Sequence, residues 1–136
     1  MPWYGFIHPI LAIVTLIIGM LIGQVSLTKI NDWDFPLRRQ RSRSILFFVL
    51  CAANFLIGLL AAILIRGGGG KVKLAGHIPL AVAAMLFSML AALVTFTKSK
   101  PGDLSGSMRM HPLLILAALA CVFTMGLIAV LAIFKI

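Results

Sequence analysis

Apolar side chains come in four long uninterrupted blocks along the chain, and charged ones are confined to the gaps between them. The blocks run over residues 4–27, 45–65, 74–96 and 112–134, and no Asp, Glu, Lys or Arg falls inside any of them. At about 1.5 Å rise per residue, each block can cross a hydrocarbon core of about 30 Å as a helix. A β-barrel would need polar and apolar residues to alternate, and they do not. A helix, by contrast, satisfies its backbone polar groups within the segment. The pattern predicts an all-α fold: a four-transmembrane-helix bundle, antiparallel and up-and-down, with residues 1–136 forming a single integral membrane domain.

Composition agrees with that pattern. The chain is 62% hydrophobic with a mean hydropathy of +1.13, more apolar surface than a soluble core of 136 residues could hide. Lipid is therefore the expected partner. The net charge of +9 is not a nucleic-acid signature, because the 12 Lys and Arg residues sit in the connections and at the ends. Lys29, Arg38, Arg39, Arg41 and Arg43 lie in the first connection, and Lys98, Lys100 and Arg109 in the third. The opposite side has Arg66, Lys71, Lys73 and Lys135. The excess of basic residues places the first and third connections in the cytoplasm and both termini outside it, in a bacterial-type inner or plasma membrane. The first block is too long for a signal-peptide core and no basic residue precedes Lys29, so it reads as a retained span.

Within the spans, small and polar residues recur at helical spacing. Trp3 and Tyr4 suit the membrane–water boundary before the first helix, as Trp33 and Phe35 do in the first connection. Below His8, one face of the first helix carries Ala12, Thr15, Gly19 and Gly23, whose GxxxG spacing permits close helix approach. Asn54 is the strongly polar side chain deep in the second helix, and an interhelical hydrogen bond is its plain role. Gly67 to Gly70 read as a bare connector, since the Lys-Ser/Thr ending of a phosphate loop is missing. Below His77 the third helix presents Ala81, Ala84, Ser88 and Ala92. Cys51 and Cys121 lie within spans, form no CxxC or CxxCH pattern and read as packing residues. The arginine-rich first connection reads as an orientation signal attracted to anionic headgroups, with an entry site for an anionic group or a quinone headgroup as the sharper alternative.

The three histidines are the candidate chemistry. Each stands near the start of a span, as His8-Pro9, His77 in GHIPL and His111-Pro112. Taken singly, each reads as an interfacial group bonded to water or backbone. Topology, however, places His8 and His77 at one depth on the same side, with His111 at the opposite end. Two imidazoles above columns of small side chains could serve as axial ligands to a b-type haem iron. Zinc is less suitable because four ligands cannot be assembled. A proton relay would normally include membrane carboxylates, and the spans have none.

The four spans, with HP opening the first, GHIPL the third and HP the fourth, resemble the cytochrome b561-related membrane proteins and their small four-helix relatives. Such proteins typically hold two haems, one near each face, through four helix-borne histidines. The resemblance implies that His8 and His77 ligate an outer haem and that His111 belongs to an inner one. The chain departs from that pattern at the start of the second helix, where RRQRSRSILFF supplies Gln40, Ser42 and Ser44 but no histidine. One outer haem b is therefore expected, with His111 left for a quinone, a water network or a partner subunit.

Three functions follow as expectations. The first is a small integral membrane b-type cytochrome: an electron-transfer protein or a subunit of an oxidoreductase complex, rather than a self-contained enzyme. The second is a non-catalytic transmembrane anchor or scaffold subunit without its own cofactor. A small transporter or channel ranks last, because the spans carry no charged group and no broken-helix signature.

Overall fold

The computed structural model describes residues 7–29, 36–67, 77–97 and 109–134. Four helices account for nearly all of them: α1 (Ile7–Lys29), α2 (Leu37–Gly67), α3 (His77–Val94) and α4 (Met110–Phe134). The boundary aromatics Trp3, Tyr4, Trp33 and Phe35 and most of the connecting residues lie outside the described residues. All four helices are long and apolar enough to cross a membrane.

Each helix packs mainly against its chain neighbours, and α4 closes the ring onto α1. The bundle is therefore a four-cornered array in which α1 and α3 stand on one diagonal. Antiparallel order follows from which residues meet. The end of α1 (Ser26) meets the starts of α2 (Gln40) and α4 (His111), while the start of α1 (His8) meets the far part of α2 (Gly58).

In lipid, helices gain little from hiding apolar surface, so close packing and interhelical polar bonds hold a bundle together. Both are present. Gly19 is buried where α1 is pressed against α2 and α4: a Cβ there would lie 2.6 Å from Phe47 Cε2 and 2.6 Å from Leu119 Cδ2. Gly23, one turn on, is looser, its nearest neighbour being Ile115 Cγ2 at 3.6 Å. The GxxxG face thus works as anticipated, with its tight point at Gly19. Around it lie Ile22, Phe47, Ile115, Ala91 and Ala118, none of them exposed. Asn54 Nδ2 donates to Thr15 Oγ1 at 2.6 Å, and the Thr15 hydroxyl donates to the Leu11 carbonyl at 2.7 Å. That is the expected interhelical role for Asn54.

The second helix begins eight residues earlier than the apolar block did. Nothing between Leu37 and Ile45 breaks a helix, arginine is a good helix former, and the Gln40 amide donates to the Pro36 carbonyl at 2.9 Å to start the ladder. The early start has structural consequences. Gln40 and Ser44 come to the inner face one turn apart, both fully buried. Arg41 reaches across to α3, donating from Nη2 to the Thr95 carbonyl at 2.8 Å with its guanidinium 4.5 Å above the Phe96 ring. The start of α2 therefore caps the end of α3.

Burial is uneven along the bundle axis. Thr15, Cys51, Ala84 and Val122 are the last buried residues on their helices in the direction of His8 and His77. Beyond them every described side chain is at least partly exposed. The tight core thus fills the His111 end and the middle, and the His8/His77 end is the looser one.

Candidate functional site at the His8/His77 end of the bundle

His8 sits in the first turn of α1 and His77 opens α3. The prolines that follow them, Pro9 and Pro79, are tolerated because an amide in a first turn has no helical partner to lose. Although α1 and α3 are diagonal, the two rings come together in the bundle interior. Their centroids are 6.5 Å apart with planes inclined by 55°. Both side chains are half-buried.

A tilted ring pair at this distance could be simple packing. Two further observations set it apart. Nδ1 of His8 is buried and makes no hydrogen bond among the described residues. The His8 ring also rests against Gly58 of α2, its Cε1 lying 3.0 Å from where a Cβ would stand. The Asn54 carbonyl faces the same ring. One turn deeper, Asn54 Oδ1 is a second buried acceptor without a donor. Its amide cannot be turned over, because Thr15 Oγ1 already donates to Leu11 and must accept from Nδ2.

The spacing of the rings bears on what they could hold. At 6.5 Å between centroids, the two rings stand near enough for one bound group to reach both. No group of three or more His, Cys, Asp or Glu able to hold a metal ion occurs among the described residues. A site with two imidazoles suits a metal whose remaining donors arrive with it, and the tetrapyrrole of a haem supplies four in one plane. The donor set and the looser packing at this end fit such a group.

His111 has different surroundings. It is fully buried, with Ser26 Oγ 2.9 Å from Nδ1 and Ser44 Oγ 2.9 Å from Nε2. The donor count assigns its tautomer. Ser44 donates to the Gln40 carbonyl at 2.9 Å, so it must accept from an Nε2–H. Gln40 Nε2 spends its two protons on the Ile22 carbonyl at 2.9 Å and on Ser26 Oγ at 2.7 Å, so Ser26 donates to Nδ1. The result is a ring of bonds tying α1, α2 and α4 around a neutral imidazole. Gln40 Oε1 is left without a partner, and turning the amide over would set two oxygens together at Ile22.

Sequence reasoning brought out His8, His77 and His111 but not Gly58, Ser26 or the inward aim of Gln40 and Ser44. Ser26 had a signal, since it follows Thr15, Gly19 and Ile22 on one helical stripe. Gly58 had none, because a glycine among apolar residues of a span is commonplace. Cys51 is buried and Cys121 partly so, and both are free thiols within the packing. No family model, no curated protein and no solved structure matches this chain.

Proposed function

We propose that the protein is a small membrane b-type cytochrome, holding one haem between α1 and α3 with His8 and His77 as its axial ligands. The observation that carries this reading is the convergence of two imidazoles from diagonal helices at 6.5 Å. It accords with the resemblance to the cytochrome b561-related proteins, which implies that His8 and His77 ligate an outer haem. A bound haem would supply a one-electron ferric/ferrous couple. The chain's own part is to hold the two imidazoles at a fixed spacing and to set the polarity around them through Asn54, Thr15 and the apolar lining.

His111 is outside that role in this reading, since both of its nitrogens are occupied by serines. The end of the bundle carrying Lys29, Arg38, Arg39, Arg41, Arg43 and Arg109 faces the cytoplasm by the excess of positive charge there. The haem then lies near the opposite face. A single haem at one face cannot carry an electron through the whole membrane, so the account calls for a redox partner: a quinone or a second subunit.

Replacing either ligand tests the assignment. His8→Ala and His77→Ala should each abolish haem binding in purified protein, while His111→Ala should retain it. Haem retained with unchanged spectra in both outer variants would refute the ligand assignment. Folded wild-type protein that takes up no haem would favour the anchor-subunit alternative.

A further inference from the structure

We propose that Gly58 and the backbone carbonyl of Asn54 form a notch on α2 that fixes the tautomer and direction of the His8 ring, making Gly58 a positioning residue. The term "positioning" rests on the reading of His8 and His77 as ligands; the notch itself does not. Gly58 lies one helical turn after Asn54, so its amide is the helical partner of the Asn54 carbonyl. Without a Cβ at Gly58, the imidazole can lie against that turn: Cε1, Nδ1 and Nε2 of His8 are 3.0, 3.4 and 3.5 Å from the vacant Cβ position. Any other residue would put carbon between the ring and the backbone.

Beside the notch lies the Asn54 carbonyl, which faces the ring. A helical carbonyl keeps a second lone pair and can accept another bond. Nδ1 is the buried ring nitrogen that lacks a partner. A small turn of the ring aims an Nδ1–H at this carbonyl and satisfies both groups. The proton on Nδ1 then leaves the lone pair on Nε2, free for a metal, the arrangement by which backbone carbonyls generally orient ligating histidines. The competing acceptor is Asn54 Oδ1, also buried and unpartnered.

The experiment reads the tautomer directly and needs no haem. Ring ¹⁵N resonances of ¹⁵N-histidine-labelled protein, purified haem-free in detergent, are recorded at about pH 8.5, where an ordinary imidazole is neutral. His8 is assigned by the signal lost in His8→Asn. Wild type should favour Nδ1–H about tenfold, the bias of one net hydrogen bond. Gly58→Ala should remove most of that bias, and Asn54→Ala, which keeps the carbonyl, should preserve it.

A wild-type His8 with the proton on Nε2 overturns the proposal, and it does so even if the variants fail to fold. So does a ratio unmoved in folded Gly58→Ala. Loss of the bias in Asn54→Ala transfers the role to the side chain and overturns the carbonyl notch. Haem titration of the same samples separates the two readings. A biased tautomer in protein that takes no haem removes the cytochrome and keeps the notch. Haem uptake with an unbiased His8 does the reverse.

Discussion

An alanine at position 19 should loosen the bundle, while one at position 23 should not. Gly19 and Gly23 share a face of α1, but a Cβ at the first would stand 2.6 Å from both Phe47 Cε2 and Leu119 Cδ2 and 3.0 Å from Phe47 Cζ. At the second it would meet Ile115 Cγ2 at 3.6 Å, an ordinary contact. Phe47 is fully buried and has little room to withdraw. Overpacking of this kind typically costs about 1–3 kcal/mol. Both substitutions gain about 1 kcal/mol of helix propensity, which cancels when the two variants are compared. Gly19→Ala should therefore be less stable than Gly23→Ala by about 1–3 kcal/mol. Reversible unfolding in mixed micelles, followed by circular dichroism, gives the difference. Equal stabilities, or a more stable Gly19→Ala, would refute the close approach of α1 to Phe47 and Leu119.

Two further substitutions probe the His111 end. Ser44→Ala leaves the buried Nε2–H of His111 without an acceptor, so it should destabilise by about 1–3 kcal/mol. Adding His111→Leu should restore part of that loss, and strictly additive effects in a double-mutant cycle would contradict the shared bond. Arg41→Ala removes the cap on the Thr95 carbonyl and the contact with Phe96, and should cost about 1–2 kcal/mol. Because a lysine cannot reproduce the guanidinium stacking, Arg41→Lys should recover less than the whole loss. Thermal unfolding in the same micelles checks both.

Much of this architecture was legible because lipid imposes a simple rule. Four charge-free blocks longer than a bilayer core admit one arrangement of the backbone, and Asn54 could be expected to seek another helix because nothing in hydrocarbon hydrates it. The depth match of His8 and His77 also followed from up-and-down order alone. Rotation of the helices did not. Whether two imidazoles on diagonal helices meet depends on which way each helix turns, and apolar residues cover every side of a lipid-facing helix. For the same reason Gly58 gave no warning that it seats a histidine. Hydropathy places the start of α2 at Ile45, because the arginines before it resemble a loop; their helix propensity and the unbroken run from Leu37 favour the helix that forms. With that turn in place, Gln40 and Ser44 lie one above the other and become the setting for His111.

A reduced-minus-oxidised visible spectrum of the purified, detergent-solubilised protein, with haem quantified per chain, separates a haem protein from a bare bundle. Two imidazole ligands should give a low-spin b-type spectrum at about one haem per chain. A folded, monodisperse preparation that neither contains haem nor takes it up on reconstitution would contradict the cytochrome reading.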